Sequence, residues 1–224
     1  MNPLGQLGLQ TPVRLGILVS GGGRTALNIA DACVRGIIDA RVALVIAHRE
    51  EIAAVERCRA AGLRVAVLPI TLGAGDAPSQ HPTNDHIDDR IDHALTAARV
   101  DLVVLAGYLR RFRVGDRWAR RALNIHPGLL PAFGGHGMYG DRVHRAVLAS
   151  GVHESGCTIH EVDGEYDRGP VVLERRCPVE MGDTVETLAA RVFALEKEAY
   201  PAAIAAYLSQ RNHPLHEEAR VPVA

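Results

Sequence analysis

The sequence predicts an α/β fold: a doubly wound, mostly parallel sheet carrying an antiparallel C-terminal extension of the same sheet. Three observations lead there. Short apolar runs alternate with segments of helical periodicity over roughly the first half of the chain. A glycine-rich turn, Ser20-Gly21-Gly22-Gly23-Arg24-Thr25, directly follows the first run. Later, two strand-like runs, Gly156 to Val162 and Pro170 to Pro178, flank the loop Asp163 to Gly169. The combination is Rossmann-like.

Taken in order, Val13 to Val19 is almost continuously apolar and suits burial on both faces of a parallel sheet. Ala26 to Val34 has a helical pattern that stops at Arg35-Gly36. Arg41 to Ala47 is the second strand, and the helix Glu51 to Ala61 follows, with Gly62 placed as its C-terminal cap. Arg64 to Leu68 is the third strand, Pro69 to Pro82 an irregular segment, Asp85 to Ala98 a helix, and Asp101 to Ala106 the fourth strand. This alternation predicts right-handed crossovers.

After Gly107-Tyr108-Leu109-Arg110 the pattern changes. A short helix around Val114 to Ala119 precedes a strand from Arg121 to Ile125, and Pro127 to Gly140 is too rich in glycine and proline for regular structure. Asp141 to Ser150 reads as a helix. From Thr184 to about Ser209, Val185, Leu188, Ala189, Val192, Leu195, Tyr200 and Ile204 recur at helical spacing, with Pro201 expected to kink or break the helix. Residues 1–12 and 212–224 read as tails, the second with a short strand at Ala219 to Val223. The chain, 1–224, is expected to form one domain.

The 224 residues, 47% hydrophobic, suffice for one large core. A net charge of -1 gives no overall field favouring nucleic acid or an anionic membrane, so neither is expected as a partner. Arg110, Arg111, Arg113, Arg117, Arg120 and Arg121 form a local anion-facing or solvated patch. No apolar run approaches the roughly 18 residues that span a bilayer. The N-terminus lacks the basic and long apolar regions of a signal peptide. Cys33, Cys58, Cys157 and Cys177 are widely spaced and expected to be reduced, which points to a cytoplasmic protein acting on small molecules.

Two stretches carry chemistry. The glycine turn lies between a buried strand and a helix N-terminus, where unobstructed N–H groups and the helix dipole suit a phosphate, and Arg24 can add a forked donor. Its spacing, Gly21-x-Gly23-x-x-Ala26, also fits the loose dinucleotide fingerprint. No acidic residue closes the second strand, and Arg49 there could accept a 2′-phosphate, so an NADP-binding module remains open. At Leu123-Asn124-Ile125-His126-Pro127, a carboxamide able to donate to an oxyanion and an imidazole able to move a proton are spaced to share one side of a strand.

With its downstream partner Tyr166-Asp167-Arg168-Gly169-Pro170, the stretch Asn124-Ile125-His126-Pro127-Gly128-Leu129-Leu130-Pro131 resembles the folate-dependent formyltransferase family. The likeness runs from Val13 to Leu208 and includes Leu105 to Arg110 and Gly156-Cys157-Thr158-Ile159-His160. The short length favours the purine-synthesis branch over members with an added N-terminal regulatory or C-terminal domain. The resemblance implies formyl transfer from 10-formyltetrahydrofolate, as co-substrate, to the primary amine of glycinamide ribonucleotide. It implies Asn124, His126 and Asp167 as the catalytic trio. Gly23, Arg24 and Thr25 would take the phosphate, and Glu196 would face the glycinamide and ribose. Leu109, Arg110, Arg111 and Phe112, with Asn124, would line the folate cleft opposite the loop Asp163 to Asp167. Residues 13–107 thus become a phosphate-binding half and 108–211 a catalytic and folate-binding half. Arg24-Thr25 departs from the Ser-Asn of many members.

Direct transfer needs an oxyanion donor and a proton relay, with no nucleophilic Ser or Cys. Asn124 suits the first, His126 either, and Asp167 is expected to raise the His126 pKa and hold a relaying water. His160 is expected to support the trio. His126, His136, His144, His153 and His160 match no recognised ligand spacing, so no metal is expected. A formyl-folate hydrolase, or a transferase acting on another amine, is the alternative within this chemistry. Monomer and homodimer both remain open.

Overall fold

A computed structural model of the chain describes residues 12–69 and 85–211. Most of the irregular segment expected at Pro69 to Pro82, the two tails and the strand expected at Ala219 to Val223 lie outside the described residues. The elements, in chain order, are β1 (Val13–Val19), α1 (Arg24–Val34), β2 (Ala40–Ala47), α2 (Ala53–Ala60), β3 (Val65–Val67), α3 (Asp85–Ala97), β4 (Leu102–Leu105), α4 (Gly115–Trp118), β5 (Ala122–His126), α5 (Asp141–Ser150), β6 (Glu154–Glu161), β7 (Val171–Pro178) and α6 (Val185–Arg211).

The strands form one seven-stranded sheet of order β3-β2-β1-β4-β5-β6-β7. β1 to β5 are parallel; β6 and β7 add antiparallel strands beyond β5. Both faces are covered, as the apolar strands require. Leu15, Ile17 and Val19 join α1, α2, α5 and α6 in one core, while Leu18, Leu44, Val103 and Leu105 join α3 and Trp118 in the other. The same alternation runs through β5. Leu123 and Ile125 enter the first core, so Asn124 belongs to the opposite side, with Ala122. The chain winds outward from β1 to β3, then returns to β4 on the other side of β1. The turns after β1 and β4 therefore diverge and open a crevice at the strands' C-terminal ends.

The arginine patch divides by role. Arg113 pairs with Asp89, and Arg117 Nε lies 3.5 Å from Asp92, binding the segment before β5 to the acidic face of α3. Arg110 and Arg111 instead reach the crevice.

α6 corrects one expectation: it runs unbroken through Pro201. Proline has no N–H to give the carbonyl four residues back, which is that of Lys197. Asn28 of α1 supplies the missing donor, its Nδ2 lying 2.8 Å from Lys197 O. One residue earlier, the buried Tyr200 hydroxyl lies 3.0 Å from the carbonyls of both Leu105 and Leu123, fastening α6 beneath the ends of β4 and β5. The helix is thus held against the sheet at the level of the crevice.

Replacing Asn28 with Ala should lower stability by about 1 kcal/mol in chemical denaturation. Pro201→Ala restores a main-chain donor for Lys197 O, so in that background the same change should cost clearly less. Equal losses in both backgrounds would show that the Asn28 bond does not substitute for the missing N–H.

Candidate active site

The crevice is a cleft of about 710 Å³. Its walls come from the turn after β1, the segment after β4, the end of β5, the glycine-rich stretch before α5, the β6–β7 loop and one face of α6. Every residue expected to act, from Gly23, Arg24 and Thr25 to Leu109, Arg110, Arg111, Phe112, Asn124, His126, His160, Asp167 and Glu196, lines this one space.

At one end the glycine turn is fixed from behind. Gly21 O accepts from Ala54 N at 3.1 Å, Gly22 O from Arg57 Nη1 at 2.8 Å, and Gly23 O from Leu27 N at 3.0 Å. In a trans peptide the following N–H points opposite its carbonyl, so the amides of Gly22, Gly23 and Arg24 turn away from those partners. Only glycine fits at position 23, where φ is +76° and an added Cβ would lie 2.8 Å from Ala54 Cα. α1 has no side-chain N-cap, which leaves its first-turn dipole for a guest. Arg24 stacks over Phe193 of α6, with its guanidinium carbon 4.0 Å from the ring centroid.

At the other end Asp167 is the hub. Its side chain is 9% exposed, and its backbone is left-handed, with φ at +55°. The Oδ2 atom accepts from Gly135 N at 3.0 Å and lies 3.4 Å from His126 Nδ1. Oδ1 lies 3.4 Å from Asn124 Nδ2 and 3.5 Å from His160 Nε2. The loop reaches this position because Gly169 passes against β6; a Cβ there would fall 1.8 Å from Glu161 O.

Antiparallel pairing sets Asn124 opposite His160 and His126 opposite Thr158. His160 Nδ1 lies 2.8 Å from Glu161 O, and its Nε2 lies 3.1 Å from Asn124 Nδ2. The Asn124 amide hydrogens thus face His160 and Asp167, and the long contact to Asp167 is the weaker and more readily exchanged. His126 Nε2–H donates to Phe133 O at 2.7 Å, so Nδ1 is the nitrogen turned toward Asp167. Thr158 pins the following loop, donating to Gly128 O at 2.8 Å and accepting from Leu130 N at 3.2 Å.

The protonation states differ from expectation at His126. Burial pushes its pKa down, and this outweighs the opposing pull of Asp167 and the Phe133 bond, leaving it below the ordinary 6.5. The expected net rise is therefore reversed, because the ring is only 3% exposed. Burial pushes Asp167 up, yet the His160 bond, His126 when protonated and the Gly135 N–H together hold it below the ordinary 3.8. At neutral pH the pair is a neutral imidazole beside a carboxylate. Glu196 is lifted by burial to about 7, against the attraction of Arg24.

Leu109 is 51% exposed at the rim, whereas Phe112 is 4% exposed and packs mainly in the second core. Phe193 and the stacked pair Tyr139–Arg142 line the cleft with no expectation attached to them, and His144, weighed from sequence only as a metal ligand, lines it too. Phe193 stands three residues before Glu196 on α6, a helical spacing that shares one face and was the available signal. Arg49, considered for a 2′-phosphate, lies at the end of β2 outside this lining. Among the described residues, no cluster of three or more His, Cys, Asp or Glu is arranged to hold a metal, and no helix is long and apolar enough to cross a membrane. The four cysteines are free thiols.

A carboxylate, an imidazole and a carboxamide meeting beside a phosphate-suited turn are the groups that acyl transfer to a phosphorylated acceptor requires. Residues 13–204 match the formyl transferase family, and the chain belongs to it. Among named relatives, the chloroplastic phosphoribosylglycinamide formyltransferase of Arabidopsis thaliana is 36% identical, over 88% of this chain and 66% of its own. The chain thus spans about two thirds of that plant protein's length. The phosphoribosylglycinamide formyltransferase of Escherichia coli is 33% identical over 91% of this chain and 90% of its own. Among solved structures, glycinamide ribonucleotide transformylase 1 of Symbiobacterium toebii superposes with a TM-score of 0.78, at 39% identity and 89% coverage of both chains.

Glu196 makes the site measurable by titration. Its carboxyl is lifted from 4.5 to about 7 in the folded protein, so the folded state holds a proton that the unfolded state has released. Its contribution should be fully present below pH 4.5 and lost as pH rises toward 7. The stability of the wild type relative to Glu196→Gln should fall across that window and run parallel above it. A flat difference would contradict the buried-carboxyl assignment.

Proposed function

We propose that this chain transfers the formyl group of 10-formyltetrahydrofolate to the primary amine of glycinamide ribonucleotide, a step of purine synthesis. The observation that carries the reading is the single cleft joining the glycine turn to Asn124, His126 and Asp167. The relatives' names, which specify this acceptor, support it. In this reading the acceptor phosphate rests on the amides of Gly23, Arg24 and Thr25, with Glu196 beside the glycinamide and ribose. Leu109, Arg110, Arg111 and the Phe112 segment flank the donor. Arg110 Nε, buried without a hydrogen-bond partner among the described residues, is a donor free for that ligand. Free thiols are compatible with a reducing compartment such as the cytoplasm.

The neutral amine attacks the formyl carbon. The new C–N bond forms as the carbonyl electron pair moves to oxygen, and Asn124 exchanges its long contact with Asp167 for the oxyanion. One such donor contributes about 3 kcal/mol in the transition state. His126, neutral at the outset, takes the proton from the new ammonium and returns it to the departing folate nitrogen as that C–N bond breaks. Asp167 stabilises the transient imidazolium, and His160 helps hold Asn124 and Asp167 in register. No covalent enzyme intermediate forms.

Formyl-folate consumption followed by absorbance should depend strictly on added glycinamide ribonucleotide; equal turnover without it would favour a hydrolase. His126→Ala should lower kcat about 100-fold to 10,000-fold with folding intact, and unchanged turnover would refute its role. Activity requires neutral His126, so the acid limb of the kcat profile should lie below pH 6.5 and move lower still in Asp167→Asn. A limb above 6.5 in the wild type would contradict this assignment.

A further inference from the structure

The chain has three phenylalanines. Phe112 packs in the second core and Phe133 against the first, whereas Phe193 joins neither cluster. Phe193 is half-buried on the α6 face that lines the cleft. Its ring carries the Arg24 guanidinium at 4.0 Å, with Lys197 Nζ 6.0 Å from the same centroid. A flat guanidinium against an aromatic face is held by the ring quadrupole and keeps its outward N–H edge available. Without that platform, an exposed arginine in the first turn of α1 would sample many rotamers and lose entropy on engaging a ligand. Phe193 therefore has a use that core packing does not account for.

We propose that Phe193 is a positioning residue for the acceptor phosphate: it holds Arg24 across the α1–α6 gap, so that a phosphorylated acceptor meets a guanidinium already in place. This rests on the reading of the glycine turn as the phosphate site and adds a specificity element to it. The backbone amides of the turn accept any oxyanion of suitable size, while the held Arg24 charge favours the doubly charged phosphate monoester. Arg24 also stands close enough to attract the Glu196 carboxylate, so one clamped side chain is shared by the phosphate end and the amine end of the acceptor.

The test is a double-mutant cycle on acceptor affinity, measured by calorimetry with glycinamide ribonucleotide and with its dephosphorylated riboside. Phe193→Leu should weaken ribonucleotide binding about threefold to fivefold, the size of an exposed cation–π contact. Riboside binding, the KM for the formyl donor and kcat at saturation should stay within about twofold, a margin small beside that effect. Phe193→Trp should restore ribonucleotide affinity. In an Arg24→Ala background, Phe193→Leu should have no further effect, because the ring acts through the guanidinium. Additive losses, or equal weakening of the riboside, would overturn the positioning role and leave Phe193 as packing. If Phe193→Leu fails to fold, Arg24→Lys decides: it keeps the charge but lacks the flat face, and unchanged ribonucleotide affinity would overturn the proposal. If the wild type binds neither acceptor, the phosphate-site reading itself fails, an outcome distinct from the failure of Phe193 alone.

Discussion

The Asp167 carboxylate sits in left-handed backbone, 9% exposed, within 3.5 Å of nitrogens on Asn124, His126 and His160. A buried anion is costly unless hydrogen bonds and charges compensate it. Here the Gly135 amide, the Asn124 carboxamide and the His160 contact do so, which keeps the group ionised. The same contacts fix the side chains themselves. Asn124 is oriented from two sides, and the His126 ring is held between Phe133 O and the carboxylate. Loss of the carboxylate would therefore loosen the amide and imidazole together.

Sheet topology explains why these groups meet. Strand order reverses between β1 and β4, so the glycine turn and the Leu109–Phe112 segment leave the sheet in opposite directions and a ligand can enter between them. β5 brings Asn124 and His126 to the same rim, and the antiparallel β6–β7 extension folds Asp167 back over it. The extension is what distinguishes this crevice from a plain dinucleotide site: it supplies the later carboxylate and His160. α6 closes the glycine-turn side with Glu196 and Phe193, its position set by Tyr200 under β4 and β5 and by Asn28 on Lys197 O.

Much of this was legible in the residues. β1 and α5 have the bounds that the sequence pattern indicates, and Asn124 and His126, two residues apart, both line the crevice. What local pattern could not supply was tertiary compensation. Pro201 signals a helix break, and only the distant Asn28 removes the cause. Asp167 next to His126 suggests a raised pKa, but the sign depends on how deeply the ring is buried, a property of the whole packed site. The arginine patch reads as one feature, yet α3 takes Arg113 and Arg117 while Arg110 and Arg111 face the cleft. Phe193 looks like any core-facing aromatic until α1 is seen beside it.

In the proposed reaction one reacting carbonyl sits among Asn124, His126 and Asp167 while the acceptor phosphate rests on the turn after β1. A crystal structure with an inert formyl-folate analogue and glycinamide ribonucleotide bound together tests this most directly. The analogue's carbonyl oxygen is expected within hydrogen-bond distance of Asn124 Nδ2, with the acceptor amine facing the carbonyl carbon and the phosphate on the amides of residues 23–25. A ternary complex with the phosphate elsewhere, or with the carbonyl turned away from the β5 rim, would contradict it.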